Sequence, residues 1–298
     1  MSMRRVPYVR AQKPTPIRLT ERDKRILETI HAFDGVLSLK QIDRLFFSGH
    51  GRSQPRARMR QLFDSNYVNT PNKTTIHRVP AGESVYWLSR QGAATVAGLQ
   101  GETLHRFSWR PQPRFALLQH DLALNDVRMA VMQACQNDKR LTLQRWIPES
   151  DLFAFPDTVE VPQGRHKPQK RQVRPDGFFV VTRRGDRYPF AFLLEMDMAT
   201  KDNPRFSREK VEPGQVYLKS DAFRQRFGLR YGRYLVVTTG ERRLANMKAE
   251  AERVGAKGLF YFTTYAAISA ETVLHRPIWQ LAGETTPRMM LPAQVSTP

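Results

Sequence analysis

Residues 173–197 read VRPDGFFVVTRRGDRYPFAFLLEMD, and this stretch decides the fold. Two β-like runs, Val173 to Thr182 and Tyr188 to Asp197, flank a turn at Arg184-Gly185-Asp186. Asp176 opens the first run, and Glu195 and Asp197 close the second after the apolar FAFLL. Side chains alternate along a strand, so Glu195 and Asp197 are expected on one face. Hairpin pairing would bring Asp176 beside them. Three carboxylates ending an apolar strand pair are costly unless cations compensate them. Mg2+ or Mn2+ suits that task, because hard cations take carboxylate oxygens. Asp176, Glu195 and Asp197 are therefore the candidate metal ligands. A metal so held could activate water next to a phosphodiester.

Working outward, a helix is expected over about Phe115 to Asn137, with Leu118, Leu122, Val127, Val131 and Ala134 on its apolar side. The strand LTLQRWI follows it. Residues 156–172 read as an exposed loop with Arg165, Lys167, Lys170 and Arg171 close together, a cluster suited to clamping a phosphate backbone. After the hairpin come a helix from about Ser207 to Phe227, the strand YLVVT (234–238) with apolar residues on both faces, and a helix from Glu241 to Val254 stopped by Gly255. The strand GLFYFTT completes the series. The order α-β-β-β-α-β-α-β is one α/β domain over 115–270, and 271–298 reads as a loosely ordered tail.

Toward the N-terminus, residues 1–19 read as a flexible basic arm. Thr20 with Asp23, and Ser38 with Gln41, cap two helices. Ile26, Leu27, Ile30 and Phe33 line the first; Leu39, Ile42, Leu45 and Phe46 line the second. A third helix runs from about Gln54 to Asn66, burying Met59, Leu62 and Phe63 and turning Gln54, Ala57 and Gln61 outward beside Arg56, Arg58 and Arg60. Two strands, Tyr67 to Thr70 and Val85 to Leu88, enclose a polar excursion with Lys73, His77 and Arg78, and a short helix begins at Ser89. Three helices and a hairpin over 20–106 form the winged helix-turn-helix pattern, with 107–114 as a linker. The third helix offers amides and guanidiniums for base edges, and the hairpin offers cations for the backbone.

Charge agrees with that reading. The 298 residues hold 48 Lys plus Arg against 28 Asp plus Glu, a net +20. The first hundred carry 17 of the former and 7 of the latter, so that segment supplies half the excess. Such an excess points to a polyanionic partner, here double-stranded DNA. RNA is disfavoured, since no aromatic platform motif is visible. The single cysteine, Cys135, excludes a disulfide framework and a Cys-rich zinc site, and reads as a packed thiol. No apolar run is long enough to span a bilayer, and the basic N-terminus lacks the apolar core of a signal peptide. A soluble cytoplasmic protein with no membrane partner is expected. His31 reads as structural, and the four tryptophans as core.

RPDGFFVV, FAFLLEMDMAT, a helix with Lys210 and Tyr217, and RYLVVTTGERRLANM, all behind a winged helix, resemble the replication-relaxation family over roughly residues 18–265. The α/β part also resembles the PD-(D/E)xK nuclease superfamily. The resemblance implies a fold that is α/β (α+β overall), with a winged helix followed by a restriction-endonuclease-like α/β domain. It implies plasmid or mobile-element DNA as the substrate class, a bacterial nucleoid- or plasmid-associated location, and Asp176 and Glu195 as metal-binding acids. Replication or mobilisation proteins and a second copy of the chain are further partner classes. The sequence departs from the motif at one point: Asp197 stands where the nucleases carry lysine. Lys201 or Lys210 would then supply the cation. His120, Asp121 and Asp126 on the first helix of the domain are second-tier site candidates that could approach the acids. The competing reading is a non-enzymatic regulator whose nuclease-like domain serves dimerisation or partner binding.

Overall fold

A computed structural model describes residues 8–47, 53–164, 166–200 and 202–292. Its contacts divide the chain into two compact units, Met1–Asn125 and Asp126–Pro298.

In the first unit, α1 (Glu21–Ala32) and α2 (Leu39–Phe46) start at the expected capping boxes on Thr20 and Ser38. β1 (Leu37–Ser38), α3 (Ser53–Asp64), β2 (Val68–Asn69), β3 (Val85–Leu88) and α4 (Arg90–Leu99) complete it, with the strands ordered β1-β3-β2. The apolar stripe of α1 is buried as expected. On α2 only Ile42 of the four expected inward residues is fully buried, and Phe47 just past its end takes the place expected of Phe46. Gly92 of α4 packs so tightly that a Cβ there would lie 2.0 Å from the Tyr67 carbonyl oxygen.

The expected linker at 107–114 is folded onto this unit. Phe107 is buried against the His31 ring at 4.3 Å, and a Cβ on Gly35 would lie 3.3 Å from Arg110 Cβ. The long helix α5 (Leu118–Asn137) begins in the same unit, where Leu118 and Leu122 pack with Val36, Val85 and Trp87. Gln41 and Asn125 tie its first turns down by donating to the carbonyls of Leu122 and Val36, each at 2.8 Å.

The second unit is α/β, built on a six-stranded mixed sheet. Its strands are β4 (Leu141–Pro148), β7 (Gly177–Arg183), β8 (Phe190–Met196), β9 (Arg233–Thr238), β10 (Phe260–Thr264) and β11 (Gln280–Leu281). The order is β11-β10-β9-β8-β7-β4, with β8, β9 and β10 parallel and the outer pairs antiparallel. β9 is central and apolar on both faces, as YLVVT requires. One face carries Phe178, Leu193, Tyr234, Val236 and Phe260 against Tyr217, Phe223, Leu244 and Met247 of the covering helices. On the other, Phe179 stacks on Trp146 at 5.1 Å.

Three expectations are corrected. Residues 156–172 are not a loop: after α6 (Glu149–Ala154) the chain forms a hairpin of β5 (Asp157–Gln163) and β6 (His166–Val173). Alternation explains it, because Val159 and Val161 are buried between exposed neighbours. The helix expected over Ser207 to Phe227 is broken. α7 (Asn203–Phe206) runs into a π turn (Ser207–Val211), then α8 (Glu212–Lys219) and α9 (Asp221–Phe227). Pro213 has no N–H to give and its ring crowds the preceding turn, while Ser220 caps α9 afresh. Nor is the tail loose as far as Pro292: Trp279 is fully buried, exchanges backbone hydrogen bonds with Arg288, and precedes β11 on the sheet.

Candidate metal and nucleic-acid sites

Asp176 and Glu195 come together where β7 begins and β8 ends. The Asp176 N–H donates to the Leu194 carbonyl at 2.8 Å, and its Oδ2 accepts from the Met196 N–H at 2.8 Å. These bonds straddle Glu195 and fix the two carboxylates side by side, each about 7% exposed. Lys210, on the π turn, donates to Glu195 Oε2 at 2.6 Å and to the Arg174 carbonyl at 2.7 Å. The Glu212 N–H reaches back to the Ser207 carbonyl, the five-residue spacing of a π turn, and Gly214 lets the following helix approach the rings of Tyr234 and Phe260.

Burial alone would push the Lys210 ammonium down. The charges of Glu195 and Asp176, the Glu195 hydrogen bond and the charge of Glu149 outweigh it, so Lys210 titrates above its ordinary value. Glu149, buried at the start of α6, is a residue the sequence reading missed. Burial, then the charges of Glu195 and Asp176, raises the Tyr234 hydroxyl well above its usual range.

Asp197 does not join this group as a bare acid. Arg243 of α10 (Glu241–Arg253) grips both its oxygens, with Nη2 2.7 Å from Oδ1 and Nε bonded to Oδ2. The Thr238 hydroxyl also donates to Oδ2, at 2.6 Å. The third expected metal ligand is thus a carboxylate already neutralised by a bidentate guanidinium. Spacing along the chain gave no sign of this, since Arg243 lies 46 residues away. Lys201 falls outside the described residues. Of the secondary candidates, Asp121 is ion-paired with Arg114 and hydrogen-bonded to His120 Nδ1 at 3.4 Å, and Asp126 accepts from the Tyr265 hydroxyl.

The family model described as replication-relaxation matches residues 27–229. The chain belongs to the replication-relaxation family. The matched span contains Asp176, Glu195, Asp197 and Lys210, whereas Arg243 lies beyond it. Two solved structures of the FokI restriction endonuclease, with and without DNA, are similar to the chain at 10% and 11% identity. Their TM-scores are 0.25 and 0.27, covering 82% and 84% of this chain and 42% of FokI. Neither residues nor activity transfer at that level. No curated protein matches the chain.

On the first unit of this family member, Gln54, Arg56, Ala57 and Gln61 are exposed along α3, as expected. Arg58 and Arg60 are not outward cations. Arg58 Nε lies 2.8 Å from Asp23 Oδ1, with Nη2 bonded to Oδ2, and Arg60 Nε lies 3.0 Å from Asp64 Oδ2. Lys73, His77 and Arg78 are exposed between β2 and β3, the latter two on a 3-10 turn (Ile76–Arg78). On the β5–β6 hairpin Lys167 and Lys170 are exposed and Arg171 is half-buried, donating to Gln169 at 2.8 Å. Lys170 pairs across the hairpin with Glu160. Arg165 falls outside the described residues. Cys135 is buried, and desolvation raises its thiol to about 11, as suits a packing residue.

Proposed function

We propose that the chain binds duplex DNA through its first unit and acts on a phosphodiester through Asp176, Glu195 and Lys210. The buried Lys210–Glu195 ion pair beside Asp176 carries this reading. It supplies the acid, acid and lysine of the PD-(D/E)xK motif, with the lysine delivered by a helix instead of from position 197. The donor set fits a hard divalent cation, Mg2+ or Mn2+, which binds through one or two carboxylates and completes its shell with water and phosphate. Such a cation, when bound, neutralises charge at the phosphate under attack. The chain's own residues have distinct tasks. The Met196 N–H orients Asp176, the Arg174 carbonyl and Glu195 aim the ammonium, and that ammonium offsets the negative charge of a docked phosphate.

The first unit is read as a winged helix. Its α1-β1-α2-α3-β2-β3 order and three-stranded sheet support that reading, with the exposed side of α3 toward a major groove and Lys73, His77 and Arg78 toward the backbone. Lys167, Lys170 and Arg171 serve as a phosphate clamp leading directly into Arg174 and Asp176. Family membership supports plasmid DNA as the target.

One observation favours the non-enzymatic alternative: the motif's third position is an aspartate locked by Arg243. Calorimetric titration with Mn2+, run beside a gel shift on duplex DNA, separates the two. The proposed site predicts saturable Mn2+ binding that Asp176→Ala and Glu195→Ala abolish while the shift persists. Equal Mn2+ behaviour in all three proteins would favour the regulator.

A further inference from the structure

The basic arm before α1 is expected to be flexible, yet its described part is fastened along α3. Arg10 Nη2 donates to the Val68 carbonyl at 3.1 Å and to Asn69 Oδ1 at 2.6 Å, with its guanidinium 4.2 Å over the Phe63 ring. The Ala11 N–H donates to Asp64 Oδ1 at 2.9 Å, and Arg60 Nη2 holds the Val9 carbonyl at 2.7 Å. Arg58 Nη2 reaches the Arg18 carbonyl at 3.3 Å. Pro14 and Pro16 stiffen the span between these anchors by fixing φ. Arm and helix together line a polar cleft of about 410 Å³ that includes Lys13, Arg18, Arg58 and Gln61.

Charge has been exchanged between the two elements. Arg58 and Arg60, the cations that the sequence assigns to the groove, are spent on Asp23, Asp64 and the arm's carbonyls. Two cations of the arm remain available: Lys13 and Arg18 are exposed at the cleft, and among the described residues neither meets a carboxylate.

We infer that residues 8–18 and α3 form one composite duplex-binding surface, in which the docked arm presents Lys13 and Arg18 to the phosphate backbone beside the groove that α3 enters. The inference rests on the reading that α3 faces duplex DNA. Two cations held on a fastened segment lose less side-chain and backbone freedom on binding than two on a free tether, so docking itself contributes affinity. Each phosphate contact also adds a defined increment to the salt dependence.

The test is equilibrium binding of a short random-sequence duplex by the full chain across a salt series. Wild type, the Lys13→Ala/Arg18→Ala double variant and Ala11→Pro are compared. Ala11→Pro removes the N–H that Asp64 accepts and keeps every charge, and trypsin cleavage after Arg18, whose carbonyl Arg58 holds, reports independently on docking. The double variant should have a log–log salt slope shallower by about 2. Ala11→Pro should be cut faster by trypsin and bind about tenfold more weakly at unchanged salt. An unchanged slope in the double variant overturns the inference. So does an Ala11→Pro protein that is cut no faster, or one that is undocked yet binds as well as wild type. Tighter binding by Ala11→Pro would make the arm a cover over α3 and also overturn it. If wild type binds no duplex at all, the reading of α3 fails first and takes the inference with it.

Discussion

The Lys210 ammonium lies 2.6 Å from Glu195 Oε2, although 15 residues separate the two along the chain. Asp197, two residues after Glu195, faces Arg243 instead. The cation at the acids thus comes from a π turn ahead of Pro213, and its removal should be felt both in stability and in metal response.

Lys210→Met would leave Glu195 as a buried carboxylate without its ammonium. A loss of about 3 kcal/mol in unfolding free energy is expected, in line with breaking a buried pair from one side. Added Mn2+ should recover part of that loss by binding the folded state. Urea unfolding with and without Mn2+ checks this; an unchanged midpoint would contradict the pairing.

Asp197 should behave differently. Asp197→Ala strands the Arg243 guanidinium and is expected to cost about 2–4 kcal/mol, while Mn2+ affinity stays near wild type. A large loss of Mn2+ binding in a folded Asp197→Ala protein would restore Asp197 to the ligand set.

The first unit contains an acid-sensitive lock. Burial raises the Asp23 carboxyl, but hydrogen bonds from Arg58 and Thr20 outweigh it, so Asp23 titrates below its ordinary value. A depressed carboxylate contributes stability above its unfolded value, about 3.9, and loses it as pH falls through the folded value. Urea midpoints followed from neutral pH into that range should fall, and Asp23→Asn should flatten the fall. A wild-type curve as flat as the variant's would remove Asp23 from the account.

Gly92→Ala tests a close approach in that unit. A Cβ 2.0 Å from a backbone oxygen cannot be accommodated by a rotamer change, so α4 must shift away from Tyr67. A loss of about 2 kcal/mol or more is expected in thermal unfolding, against the small gain that Ala usually brings to a helix. A variant melting at or above the wild-type temperature would contradict the contact.

Much of this architecture was legible because local chemistry sets it. Thr20 with Asp23 and Ser38 with Gln41 announce helix starts, and YLVVT reads as central because both its faces are apolar. The β5–β6 hairpin was hidden, since only Val159, Val161 and Val173 mark its buried side, and His166 to Gln172 are polar apart from Pro168 and exposed or half-buried. Glu212-Pro213-Gly214 held the sign of a broken helix, but not that the break would aim Lys210 at Glu195. The partners of Asp197 and Arg58 depend on tertiary contacts that no periodicity encodes, whereas Arg60 and Asp64 stand four residues apart on α3, a spacing the sequence already offered. Pairing of the two strands thus foretells Asp176 beside Glu195, whereas nothing local foretells the guanidinium that holds Asp197.

Cleavage of supercoiled plasmid with Mn2+ or Mg2+ tests the central claim most directly, comparing wild type with Glu195→Ala, Lys210→Ala and Asp197→Ala. Asp176, Glu195 and Lys210 acting together predict relaxed or linear product from wild type, none from Glu195→Ala, a rate lower by about a hundredfold or more from Lys210→Ala, and activity retained by folded Asp197→Ala. Intact plasmid from wild type that still shifts duplex DNA, or equal product from wild type and Glu195→Ala, would contradict it.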